Sequence, residues 1–102
     1  MSQKFTVGQE ITVTACFTHP ETGEPANSQD PVTFTFLGER GQELAVVTKG
    51  PEEASPTGTY EGARIVDGSE GAWVDCRVIG YPGGRRASDQ KRAYIADSSG
   101  VF

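Results

Sequence analysis

Residues 10–18 read Glu10-Ile11-Thr12-Val13-Thr14-Ala15-Cys16-Phe17-Thr18, and their alternation decides the fold. Apolar side chains recur at every second position. Ile11, Val13, Ala15 and Phe17 fall on one face, and the threonines with Cys16 fall on the other. A period of two is the pleat of a β-strand with one buried side, whereas an amphipathic helix repeats about every 3.6 residues. The β-branched residues also suit a pleated, half-buried surface. Val32-Thr33-Phe34-Thr35-Phe36-Leu37 repeats the pattern, with Val32, Phe34 and Phe36 inward.

Working outward, turn chemistry separates further strands. Residues 19–31 carry Pro20, Gly23, Pro25 and Pro31, which exclude a regular element and make a long connection. Gly38-Glu39-Arg40-Gly41 reads as a hairpin turn into a strand at 43–48. Gly50-Pro51 and Ser55-Pro56 break the chain before a strand at 58–66 that contains Tyr60. The next strand, 72–79, places Val74, Cys76 and Val78 on one face and Trp73, Asp75 and Arg77 on the other. After Gly80-Tyr81-Pro82-Gly83-Gly84 a last strand is expected at 91–96, and Phe5 to Val7 supplies a short opening one. About seven short strands spaced by turns predict an all-β, immunoglobulin-like antiparallel sandwich, with a small barrel as the alternative. One domain is expected over 1–102, with an ordered core at about 5–96 and a loose tail at 97–102.

The 102 residues are 35% hydrophobic and 9% aromatic, too apolar for a disordered chain. No apolar run reaches the roughly 20 residues of a membrane-spanning helix, and the start lacks a signal-peptide pattern. The net charge of −5 argues against general nucleic-acid binding, which grows with the cations presented to phosphates. The charge is uneven. Residues 1–70 hold 11 acids against 4 bases, while residues 71–102 hold 3 acids against 5 bases. The bases gather as Arg85, Arg86, Lys91 and Arg92, either a solvated loop and strand edge or a docking patch for an acidic partner.

Catalytic and metal-binding patterns are missing. The single histidine, His19, lies in the long loop with no nucleophile motif around it. Two cysteines and one histidine are fewer than the four ligands of structural zinc. Glu21/Glu24/Asp30 and Asp67/Glu70 lack calcium-loop spacing and read as solvated turns. No enzyme activity and no cofactor are expected. Cys16 and Cys76 fall on opposite kinds of face, so two free thiols are predicted rather than a bridge. Trp73, on the solvent side by parity, either caps the core edge near Tyr60 or anchors a partner. Tyr81 is the clear loop aromatic.

The turns and anchors resemble a known set. Asp30-Pro31-Val32-Thr33-Phe34 enters the third strand, Pro56-Thr57-Gly58-Thr59-Tyr60 opens the fifth, and Gly71-Ala72-Trp73 opens the sixth, followed by Arg77. This pattern, over residues 7–80, is similar to small immunoglobulin-like proteins encoded among the virion genes of tailed bacteriophages. The interval from Gly23 to Asp30 is longer than in that set, and Gly83-Gly84-Arg85-Arg86 is not part of its pattern. The resemblance implies a non-enzymatic virion component, a head decoration, neck or head–tail joining subunit. Its partners would be other virion proteins in a symmetric multi-copy array assembled in the host cytoplasm. Tyr60 and Trp73 would then fasten the two sheets, and Arg85, Arg86, Lys91, Arg92, Trp73 and Tyr81 become the expected partner-binding residues. The alternative function is a host-surface or glycan-binding adhesion module, which calls for exposed aromatics grouped at one loop end.

Overall fold

A computed structural model describes residues 4–96. The expected tail 97–102 lies outside the described residues. Seven strands are present among the described residues: β1 (Lys4–Phe5), β2 (Glu10–Cys16), β3 (Val32–Leu37), β4 (Glu43–Lys49), β5 (Thr59–Ile65), β6 (Trp73–Gly80) and β7 (Ala87–Ile95). A single 3-10 turn, Pro51–Glu53, interrupts the link from β4 to β5. The strands form a five-stranded sheet, β1-β7-β6-β3-β4, facing a two-stranded sheet, β2-β5. The fold is an immunoglobulin-like β-sandwich. No ladder joins β2 or β5 to the larger sheet, so the barrel alternative is set aside.

Alternation on the core strands is as the sequence predicts. Ile11, Val13, Ala15 and Phe17 from one sheet meet Val32, Phe34, Phe36, Val74, Cys76 and Val78 from the other, all buried. Phe34 and Phe36 are fully inaccessible, and burial of each such ring stabilises by about 1.5–3 kcal/mol. Tyr60 lies edge-on to Phe17 with ring centroids 5.8 Å apart. Its hydroxyl is buried but satisfied, accepting from Ser28 N at 2.9 Å and donating to Pro51 O at 2.9 Å. One phenol thereby pins both long connections to the core. Gly58, with φ +79°, turns the chain into β5 where a Cβ would stand 2.6 Å from Phe17 O, so only glycine fits.

Three strand expectations are corrected. β7 begins at Ala87 rather than 91. Ser88 to Arg92 are all exposed, so neither side is covered and no apolar alternation marks them. They are held by the ladder to β6, from Trp73↔Tyr94 to Gly80↔Ala87. β1 is Lys4–Phe5 rather than 5–7, and it runs parallel to β7, the one parallel pairing among the described residues. β2 ends at Cys16, although Phe17 still enters the core. Cys16 is exposed, Cys76 is buried, and both are free thiols.

The acidic turn Asp67–Glu70 is not simply solvated. Glu70 is 0% exposed. Its carboxylate accepts from Arg64 Nη2 at 2.8 Å, Asp67 N at 2.9 Å and Gly68 N at 2.8 Å. Its own carbonyl accepts from Glu39 N at 2.9 Å, tying this turn to the β3–β4 hairpin. Ser69 donates to Asp67 from both its hydroxyl and its amide. Those two bonds, with the Arg64 guanidinium, hold the Asp67 carboxyl well below the ordinary carboxylate range.

Candidate protein interface on the outer sheet face

Register places the predicted residues. Side chains opposite each other in a ladder share a face. Trp73 with Tyr94, Asp75 with Arg92, Arg77 with Gln90 and Ile79 with Ser88 therefore occupy the outer face of the five-stranded sheet. β3 continues that face with Leu37, Thr35 and Thr33, and β4 adds Val46 opposite Thr35. No described element covers this surface. Val46 is 49% exposed and Tyr94 40% exposed.

The strongest local structure on this face is a three-residue stack. Arg92 reaches across the ladder to Asp75, with Nε to Oδ1 at 2.7 Å and Nη2 to Oδ2 at 3.0 Å. The same guanidinium lies over the Trp73 ring, 4.5 Å from its centroid. Two parallel hydrogen bonds fix the plane of the guanidinium, and the indole face supplies the cation–π contact. The Asp75 hydrogen bonds raise the Arg92 pKa further, so it is charged at every working pH. The result is a flat aromatic and cationic platform whose rotamers are set in advance.

Trp73 therefore does not fasten the sheets, as the resemblance implied. It is half-buried on the outside of β6, while Tyr60 alone occupies the interior. The expected basic patch is likewise divided. Lys91 and Arg92 are consecutive in β7 and point to opposite faces. Lys91 reaches back to β2, donating from Nζ to Thr14 O at 3.0 Å. Arg85 and Arg86 sit exposed at the β6–β7 turn. Arg86 borders a shallow depression with Arg77, Ser88 and Gln90 on the outer face. Arg86 immediately precedes β7 and lies six residue steps from Arg92, about 20 Å along the strand. Arg77, Arg86 and Arg92 thus share one surface, and Lys91 does not.

Tyr81 is half-buried in the turn after β6. Its amide donates to Ser28 Oγ at 2.8 Å and its carbonyl accepts from Gln29 N at 3.0 Å. Its backbone joins this turn to the long connection, and it is not grouped with Trp73 or Tyr94. His19 belongs to the same end, where its Nδ1 accepts from Glu21 N at 3.1 Å. Tyr94, Val46 and Leu37 were missed as interface residues. Tyr94 had a signal in its parity with Arg92, whereas Val46 and Leu37 needed the pairing of β3 with β4.

Comparison with known families, curated proteins and solved structures gives no match. The site must therefore be judged on its own geometry.

Proposed function

We propose that this protein is a non-enzymatic structural component of a tailed-bacteriophage virion, acting through protein–protein contacts as a head decoration, neck or head–tail joining subunit. The virion setting rests on the resemblance of the sequence pattern over residues 7–80. The mode of action rests on one observation, the braced Trp73–Arg92–Asp75 platform on an uncovered sheet face. Tryptophan, tyrosine and arginine are the side chains that most often dominate protein interfaces, and rigid ones lose least entropy on docking. Flanking Tyr94 and Val46 supply apolar area, and Arg77 and Arg86 select an acidic counterpart.

The adhesion alternative wants aromatics gathered at a loop end. Among the described residues the exposed aromatic surface lies instead on the sheet. The test is composition and imaging of purified particles, by mass spectrometry and electron microscopy. The protein should be present in many copies, with the outer face of the larger sheet against a neighbour. Its absence from particles, with binding to a defined soluble sugar, would overturn the reading. Charge reversal at Arg85 and Arg86 should weaken incorporation while changing folding stability by less than about 1 kcal/mol, because both are exposed.

A further inference from the structure

The open strand edges of the sandwich are not equally guarded. β1 covers β7 only at Tyr94 and Ile95, and the rest of that edge carries Asp89, Lys91 and Arg92. On β2, the Lys91 ammonium occupies Thr14 O, and β5 has Glu61 and Arg64 along its length. Charges placed this way blunt edge-to-edge pairing. β4 has no such guard. Its stretch Leu44-Ala45-Val46-Val47-Thr48 is uncharged, free of proline and glycine, and among the described residues it pairs with β3 alone.

Parity fixes which β4 groups face the open side. Ile95 N donates to Ala72 O at 2.9 Å, so even-numbered backbone groups of β6 bond β7 and odd-numbered ones bond β3. Thr33↔Ile79 and Thr35↔Arg77 are then the hydrogen-bonded pairs of β3 with β6. Phe34 and Phe36 are left to bond Val47 and Ala45 of β4. Val46 and Thr48 therefore aim their amides and carbonyls away from β3, at the sheet edge. The Val46 side chain stands beside them on the outer face, 49% exposed.

We propose that β4 pairs antiparallel with β4 of a second copy of the chain, about a two-fold axis at Val46. The strand is self-complementary about that residue. Val46 meets Val46 of the second copy, Thr48 meets Leu44, Val47 meets Ala45, and Glu43 comes beside Lys49. The central valines form a hydrogen-bonded pair, because the free amide and carbonyl of each point to the open side. Charge selects the direction. A parallel pairing sets Glu43 beside Glu43 and Lys49 beside Lys49, whereas the antiparallel one sets each near its opposite. The axis stands perpendicular to the sheet, so two five-stranded sheets continue as one and both Trp73–Arg92–Asp75 platforms look the same way. The contact is one strand wide, which makes the dimer a weak one that forms at high protein concentration. It is independent of the outer-face platform and of the virion setting.

Register gives the test. Val46→Cys and Thr48→Cys are made separately in a Cys16→Ser background, which removes the exposed native thiol and leaves the buried Cys76. Both positions are exposed. In the proposed dimer the two Val46 Cα atoms lie about 5.5 Å apart, within reach of a disulfide. The two Thr48 residues are offset by about 13 Å along the strands, beyond that reach. Oxidation with diamide should therefore link Val46→Cys chains at least about tenfold faster than Thr48→Cys chains. The parent chain should show a sedimentation mass that rises from monomer towards dimer as concentration approaches about 1 mM. Val46→Lys should remove that rise with an unchanged circular dichroism spectrum, since the side chain is half-exposed. Equal linking rates for the two cysteines overturn the proposal, whatever the mass, because any association then lacks this register. A parent chain that stays monomeric throughout overturns it as well. Neither result bears on whether the protein is found in particles.

Discussion

Glu70→Gln is the sharpest probe of how this fold is held. The side chain is 0% exposed and accepts three hydrogen bonds, from Arg64 and from the amides of Asp67 and Gly68. Glutamine keeps the shape, but its NH₂ group must face one of those donors and the charge partner of Arg64 is gone. Breaking a buried ion pair from one side costs about 3–5 kcal/mol, because the other charge stays behind. Arg64 keeps a contact to Asp67 at 3.1 Å, whose carboxylate is exposed and offsets part of the loss. A net loss of about 2–3 kcal/mol follows. For a domain of this size that lowers Tm by about 10–20 °C. Urea denaturation at pH 7 measures it, with the slope m unchanged. The double variant Arg64→Met, Glu70→Leu should recover only part of the loss. It removes the stranded charge but leaves two turn amides without an acceptor. If Glu70→Gln unfolds within about 0.5 kcal/mol of the parent, the buried carboxylate is not the organiser of this turn.

Other outcomes follow from particular contacts. Tyr60→Phe keeps the ring but strands Ser28 N and Pro51 O, and should cost about 1–3 kcal/mol in chemical denaturation. Burial pushes the Cys76 thiol up to about 12, so at pH 8 a disulfide-exchange reagent should titrate Cys16 quickly and Cys76 only on unfolding. The Asp67 carboxyl is held low in the fold, chiefly by Ser69. Its contribution is therefore complete above the unfolded carboxylate range, near pH 4, and is lost as pH falls further. Asp67→Asn should flatten that portion of the acid stability profile measured by thermal melts.

What the sequence discloses follows from what each residue is asked to do. Ile11, Val13, Phe34, Phe36, Val74 and Val78 each sit on a strand with one covered side, so burial writes itself as a period of two. Residues 88–92 have neither side covered, and their strand exists only through β6, so composition carries no trace of it. Glu70 looks like any turn acid, because its burial depends on Arg64 folding back six residues earlier. Trp73 was placed correctly by parity on the solvent side, but its companions Arg92 and Asp75 become neighbours only through the β6–β7 register. The cluster Arg85 to Arg92 illustrates the converse. Closeness in the chain suggested one patch, and the alternation of a strand divided it.

The parallel pairing of β1 with β7 has a mechanical consequence. Lys4↔Tyr94 and Phe5↔Ile95 run side by side in the same direction, near the two limits of the described chain. Tension that draws Lys4 and Ala96 apart along the strand axis loads those hydrogen bonds together, in shear, rather than opening them one after another like a zipper. The clasp is only two residues long, so it slips before the four-strand ladder β7-β6-β3-β4 is disturbed. A chain pulled along this axis would then lengthen at this edge while the packed interior behind it stays whole.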